Sequence, residues 1–324
     1  MVSKQSSGIS VKAGNDNADF TGYIDLAGGT VDILAGGGSD NSKNSDTSQK
    51  GIKCDGDILM NGTTLTVSSA DDAVHGNADI TVNAGSAELS TSDDGLTATG
   101  TVTINDGSIN IIKSYEGIEA QAFVMNNGGV WVVSSDDGIN TAGGSDTSSN
   151  DDTPWGSTDT SASLTINGGY VYVNASGDGL DSNGSIYITG GTTIVEGPTT
   201  SGNGALDKGD SNGCVASITG GTVLALGTSD MAVNFDTGTQ CSALVNISGE
   251  SGTEISVDDG SGFTFTATKN FSCAVYSSPN MTQGNSYTLT AGSNTATMDF
   301  TSDLYYSDVQ SMGMGGRGPG GFGR

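Results

Sequence analysis

An aliphatic residue follows an acidic or glycine-containing corner at a nearly constant interval along this chain. Ile52, Val74, Leu96, Ile118, Ile139, Leu180, Leu206 and Val233 mark it, at steps of 22, 22, 22, 21, 41, 26 and 27 residues. The step of 41 holds one repeat plus a polar insertion, roughly Thr141 to Ala162. A second marker keeps the same register: Asn61-Gly62, Asn83-Ala84-Gly85, Asn105-Asp106-Gly107, Asn127-Gly128-Gly129, Asn167-Gly168-Gly169, Thr189-Gly190-Gly191 and Thr219-Gly220-Gly221. Fixed self-similarity at this length marks stacked supersecondary units, each burying its apolar face against its neighbours.

Between markers the sequence alternates with period 2, as half-buried strands require. Ile80/Val82, Val102/Ile104, Leu164/Ile166 and Ile186/Ile188 point one way, and Thr81, Thr103, Thr165 and Tyr187 the other. After the glycine, Leu65/Val67, Ala87/Leu89, Ile109/Ile111 and Val171/Val173 return inward. Antiparallel hairpins at the Asn-Gly pairs would leave the recurrence of one apolar phase unexplained. Coils stacked about 4.8 Å apart explain it. The expectation is an all-β chain: a single right-handed parallel β-helix with coils of about 22 residues over positions 1–252, a capping β segment over 253–308 and a disordered Gly-rich tail over 309–324. A second polar insertion spans Gly36 to Lys50.

Stacking superposes the corners. One column reads Asp72, Asp94, Glu116, Asp137, Asp178, and its neighbour reads His75, Thr97, Glu119, Asn140, Asp181, Asp207. Asp93 and Asp136 flank the first column. Asp and Asn also suit turns on their own account. A column of carboxylates one rung apart nevertheless repels itself unless cations intervene. Oxygen-rich donor sets select Ca²⁺. The expected calcium ligands are therefore Asp72, Asp93, Asp94, Glu116, Glu119, Asp136, Asp137, Asp178, Asp181 and Asp207. The glycine-rich calcium nonapeptide is absent, and His75 reads as a surface corner residue.

The charge balance sharpens this reading. Ten Lys and Arg face 37 Asp and Glu, for a net charge of -27, and both arginines (Arg317, Arg324) lie in the last residues. Such a surface cannot track a phosphate backbone, which excludes nucleic acid as a partner. No apolar run is long enough to span a bilayer, so no membrane insertion is expected. No signal peptide is visible, and the placement expected is extracellular or at the cell surface, with export information lying outside this sequence. The four cysteines (Cys54, Cys214, Cys241, Cys273) form no CxxC pair, which argues against zinc. Cys214 and Cys241 fall one repeat apart, as a disulfide or as buried thiols.

Several runs carry a resemblance: Gly51-Ile-Lys-Cys-Asp-Gly-Asp-Ile, Ser69-Ala-Asp-Asp-Ala-Val-His, Lys113-Ser-Tyr-Glu-Gly-Ile-Glu-Ala and Ser135-Asp-Asp-Gly-Ile-Asn-Thr-Ala-Gly-Gly. Over about Gly51 to Gly292 the chain resembles a clostridial family of polysaccharide-lyase-like carbohydrate-binding proteins. The resemblance implies a right-handed β-helix, bound calcium, an extracellular setting, and binding of cellulose and pectic acid. Gly177 and Asn203-Gly204 replace corner acids and depart from the pattern.

The function expected is calcium-dependent binding of plant cell-wall polysaccharide, polygalacturonate or pectin and also cellulose, by a monomer. An anionic polymer meets an anionic protein, so bridging Ca²⁺ is the physical route to affinity. Neutral glucans need aromatic platforms, for which Tyr170, Tyr172, Tyr187 and Trp155 are the candidates. Trp131 reads inward and is expected in the core. No catalytic residue is assigned. The runner-up is a calcium-dependent pectate lyase with Lys208 or Lys113 as base, which needs a cation to acidify the proton beside a uronate carboxylate. A third reading is a calcium-stabilised surface or adhesin rod.

Overall fold

The computed structural model describes residues 9–11, 22–44, 46–141 and 161–307, and every helix or strand in them is a β-strand. The repeat sets the register. Ile52 pairs with Val74, Val74 with Leu96, Leu96 with Ile118, Ile118 with Ile139, Ile139 with Leu180 and Leu180 with Leu206, all in parallel. Val233 leaves this ladder, and Phe235 is the fully buried residue of that region. The polar insertion around residues 142–160, with Trp155, and the tail after residue 307 lie outside the described residues.

The architecture corrects the expectation of a right-handed β-helix solenoid. The ladders are not separate faces joined by turns. They merge into one 22-stranded sheet among the described residues, a closed, parallel, barrel-like wall with extra strands. The reason lies in the glycines. In place of a turn at Asn61-Gly62, strand Ile58–Ser69 runs straight through it and pairs on both sides of the bend with Ile80–Thr91. The register shifts between Asn61 and Thr64, where Gly62 takes a φ of 104°. A left-handed glycine inside a continuing strand makes a bulge that bends the sheet without ending it. Ser185–Glu196 and Ala216–Gly227 bend in the same way, at Gly191 and Gly221.

Inside the wall the alternating residues form one continuous core. Ile80, Val102, Phe123, Leu164 and Ile186 stack from tier to tier, each at most 2% exposed. Outside, the bends carry a ladder of side-chain amides. Asn83 Nδ2 donates to Asn61 Oδ1 (2.8 Å), Asn105 to Asn83 (2.8 Å), Asn126 to Asn105 (2.8 Å) and Asn167 to Asn126 (2.9 Å). Identical amides one strand spacing apart satisfy each other, which the in-register stack makes possible.

At the C-terminal end the pairing changes sense. Phe271–Ser277 runs antiparallel to Ala216–Gly227 on one side and to Ser242–Gly249 on the other, and Leu304–Tyr306 adds in parallel. A separate four-stranded antiparallel sheet (Glu254–Val257, Thr264–Thr266, Ser286–Ala291, Asn294–Asp299) packs over a second core that it shares with Leu224, Leu226, Val245 and Tyr276 of the wall. Glu196, 1% exposed, ties this region to the wall. It accepts from Thr268 N at 2.6 Å, Thr268 Oγ1 at 2.7 Å and Tyr172 OH at 2.6 Å.

Candidate functional site

Each acidic corner sits between a wall strand and the next short strand. A glycine follows Asp94, Glu116, Asp137 and Asp178 for a steric reason. A Cβ on Gly138 would lie 2.5 Å from the carbonyl oxygen of Gly179 one tier on, and a Cβ on Gly117 would strike the carbonyl of Gly138. The tiers therefore stack tightly, and the acids project from equivalent places. Gly51, Ala73, Gly95, Gly117 and Gly138 donate their N–H groups to the carbonyls of Asp72, Asp94, Glu116, Asp137 and Asp178 in turn. This superposes the first column. The second is superposed by strand register: His75 with Thr97, Thr97 with Glu119, Glu119 with Asn140, Asn140 with Asp181 and Asp181 with Asp207.

Three of the corner carboxylates each give one oxygen to the backbone of the next tier. Asp94 Oδ1 accepts from Glu116 N at 3.2 Å, Asp137 Oδ1 from Asp178 N at 2.6 Å, and Asp178 Oδ1 from Gly204 N. The same anion remains available to a cation through its other oxygen.

The two ends of the column are neutralised differently. At the N-terminal end lysines enter from the 36–50 segment. Lys50, itself buried, places Nζ 2.9 Å from Asp71 Oδ1 and 2.5 Å from Asp72 Oδ2, and Lys43 reaches Asp93 at 2.5 Å. His75 is buried rather than on the surface, with Nδ1 2.7 Å from Asp72 Oδ2 and Nε2 2.9 Å from Asn77 Oδ1. Burial pushes the Asp72 carboxyl up, but the His75 hydrogen bond and the Lys50 charge outweigh it and hold it well below the usual range. Burial and the Asp72 charge push Asp93 up to about 7, against the pull of Lys43.

Further along the column the balance differs. Among the described residues no ion pair reaches Asp94, Glu116, Asp137, Asp178 or Asp181. Burial, then Asp72 and Glu116, push Asp94 well up; burial, then Glu119 and Asp137, do so for Glu116. Burial and Asp136 carry Asp137 to about 7, and burial and Asp137 carry Asp178 to about 8. Asp181 is raised well above its ordinary value by burial, then Asp137 and Asp178, and Asp207 is raised mainly by burial. Asp137, Asp178 and Asp181 bring carboxylate oxygens within 4.8 Å of one another. At that spacing two anions repel by roughly 3 kcal/mol at an effective dielectric of 20.

Two uncharged oxygens in the second column add to the donor set. Thr97 Oγ1 and Asn140 Oδ1 are buried without a hydrogen-bond partner, although Asn140 Nδ2 donates to Glu116 Oε2 at 3.2 Å. Unpaired buried oxygens beside self-repelling carboxyls, with no nitrogen or sulfur donor among them, fit a hard divalent cation. Asp94, Glu116, Glu119, Asn140, Asp137, Asp178, Asp181 and Asp207 could hold such ions. Asp71, Asp72 and Asp93 also lie within 4.8 Å of one another, but there lysine nitrogens already supply the counter-charge.

The two lysines considered as bases are engaged elsewhere. Lys113 Nζ donates to Ser39 O (2.5 Å) and Asp40 Oδ1 (2.9 Å), and Lys208 Nζ lies 3.5 Å from Asp236 Oδ2. The tyrosines do not share one surface. Tyr170 and Tyr172 stand on the strand after the bend, whereas Tyr187 pairs with Thr165 and Ser217 on the wall before it. Tyr172 is covered by Phe265, ring centroids 6.3 Å apart. Trp131 corrects its expected core position: it is 36% exposed and lies against Tyr170, ring centroids 5.6 Å apart. Strand parity carried the signal, since Val130 and Val132 on either side of it are fully buried. The roles of Lys43 and Lys50 had no local signal; they lie in the insertion and reach the column only through the fold. All four cysteines are free and buried.

A family model for carbohydrate-binding domain-containing proteins matches residues 2–95 and 96–204, more than half of the chain. The chain belongs to this carbohydrate-binding family. The matched stretches include the acidic column as far as Asp181, with Trp131, Tyr170, Tyr172 and Tyr187. No curated protein and no solved structure matches the chain.

Proposed function

We propose that this carbohydrate-binding family member recognises an acidic cell-wall polysaccharide of the polygalacturonate or pectin type, outside the cell, through calcium ions held on the column from Asp94 to Asp207. The observation that carries the reading is the mismatch within that column. Asp94 and Glu116 are buried and Asp137, Asp178 and Asp181 half-buried, these five carboxyls repel one another and no ion pair reaches them among the described residues, and the unpaired oxygens of Thr97 and Asn140 lie in the neighbouring column. Calcium supplies the positive charge that lets a uronate carboxylate approach an acidic protein. The chain's own residues set the ion positions: stacked tiers repeat the donor set along a line, which suits a linear polymer with one carboxylate per sugar. Partial neutralisation at the N-terminal end, where Lys43 and Lys50 meet Asp71, Asp72 and Asp93, favours ion binding in the remaining tiers.

Immobilised polygalacturonate retention, measured with calcium and with a chelator, tests the reading. Retention in calcium and release by chelator are expected. Retention that survives chelation overturns it. Absorbance of an unsaturated uronate product in the same incubations, lost on Lys208→Ala or Lys113→Ala, would establish lyase chemistry in place of binding alone.

A further inference from the structure

Residues 36–50 carry no apolar side chain: glycine, serine, threonine, amide, aspartate and lysine make up the whole segment. The hydrophobic effect therefore cannot hold it against the wall, and hydrogen bonds and charge must. The segment leaves the end of strand Thr30–Ala35 through Gly36, Gly37 and Gly38, at φ of 60°, 83° and 96°. Three successive left-handed glycines fold the chain back over the outside of the wall, and no residue has a more permissive backbone.

Two sets of contacts hold the segment down. The first follows one column of the wall, in which Ser68 pairs with Ser90 and Ser90 with Lys113. Ser39 N donates to Ser68 Oγ at 3.1 Å, Ser90 Oγ donates to Ser39 Oγ at 2.7 Å, and Lys113 Nζ donates to Ser39 O and Asp40 Oδ1. A single short segment thus lies across three tiers. The second set is at the acidic column, where Lys43 Nζ lies 2.5 Å from Asp93 Oδ2 and 3.9 Å from Asp71 Oδ1.

Lys43 and Lys50 differ in depth. The Lys50 side chain is 6% exposed and grips Asp71 and Asp72, whereas the Lys43 side chain is 35% exposed. Ion pairs open to water are individually weak. Asp71, Asp72 and Asp93 bring carboxylate oxygens within 4.8 Å of one another. A lysine offers such a triad one charge, while Ca²⁺ offers two and takes several oxygens at once.

We propose that residues 36–44 form a strap, a tethered competitor of calcium, which lifts from the wall when calcium takes Asp93 and Asp71 from Lys43. The proposal rests on calcium binding at the acidic column. Lys50, buried on Asp72, keeps its place. Opening uncovers the outer face at Ser68, Ser90 and Lys113 and adds two carboxylates to the ion-binding tiers. The calcium level then sets how many tiers a polymer can meet. The coupling is reciprocal: closure weakens calcium at these tiers by the factor by which calcium weakens closure.

Amide hydrogen exchange over residues 36–50, read by mass spectrometry in chelator, in calcium and in potassium chloride of equal ionic strength, tests it. Calorimetry records calcium binding in parallel. Calcium is expected to speed exchange in this segment about tenfold by opening it, and potassium chloride to leave it unchanged. Lys43→Gln, which removes one partly exposed ion pair, is expected to exchange about fivefold faster in chelator and to open at lower calcium. Equal acceleration by potassium chloride reduces the effect to screening and overturns the proposal, as does unchanged exchange of Lys43→Gln in chelator. Calcium binding by calorimetry with no change in exchange also overturns it and leaves the column reading standing. Absence of calcium binding by calorimetry overturns both.

Discussion

Lys50 Nζ lies 2.5 Å from Asp72 Oδ2, at the position in the stack where the succeeding tiers carry Asp94, Glu116 and Asp137. The ammonium is buried, yet the Asp72 and Asp71 charges outweigh that burial and hold it protonated. A lysine thus supplies in the first tiers a positive charge that, among the described residues, no ion pair brings to Asp94, Glu116, Asp137, Asp178 or Asp181. Lys50→Ala is expected to leave buried carboxylates uncompensated and to lower stability by about 3–5 kcal/mol in chelator, read by chemical denaturation. Calcium is expected to restore much of that loss and to bind with a higher stoichiometry than in the unaltered protein, read by calorimetry. Unchanged stability in chelator would show that the lysine is dispensable.

The cation-free column should make stability fall as pH rises. Asp137 and Asp178 move from an ordinary value of 3.8 to about 7 and about 8 in the folded chain. The native state therefore holds more protons than the unfolded chain between about pH 4 and pH 8. Protonated-state stability is fully present below pH 4 for these groups and is lost through that window, since the slope follows the excess of protons in the unfolded state, here negative. Melting temperatures in chelator are expected to drop from pH 5 to pH 8, and calcium is expected to flatten the profile. A rise over that range in chelator would contradict the assignment.

Asp181→Asn separates stability from ion binding. Removing one charge near Asp137 and Asp178 relieves repulsion, so the variant in chelator is expected to gain on the order of 1 kcal/mol. The same change removes a charged calcium donor, and calcium affinity is expected to fall at least tenfold. If both quantities fall, Asp181 holds the fold by a contact other than those described.

Gly138→Ala tests how closely the tiers stack. The new methyl group would meet Gly179 O and Val173 of the next tier, both held by the wall. Overpacking of this kind costs about 1–3 kcal/mol. Gly202→Ala, where nothing lies within 4 Å of a Cβ but φ is 109°, isolates the backbone contribution. A larger loss for Gly202→Ala than for Gly138→Ala would place the cost in backbone strain.

The residues differ in how openly they announce these roles. The register of Ile52, Val74, Leu96, Ile118, Ile139, Leu180 and Leu206 is legible because one apolar residue per tier must meet its neighbours. The acid columns follow from it without further information. The closed wall is not legible, because Asn61-Gly62 has the same composition in a turn and in a bulge; only the pairing of Ile58–Ser69 on both sides distinguishes them. Trp131 is misplaced by hydrophobicity and correctly placed by alternation with Val130 and Val132. Lys43 and Lys50 act across gaps in sequence that no local pattern reports: Lys50 meets Asp72 22 positions away and Lys43 meets Asp93 50 positions away.

The unbroken tier-to-tier register from Ile52 to Leu206 gives the molecule an arithmetic property. The asparagine amides and the corner residues follow the strands tier by tier, so both rows keep the one spacing of the strand pairing. A polymer whose own repeat is commensurate with that spacing can meet several tiers at once, and one whose repeat is not can meet only a single tier.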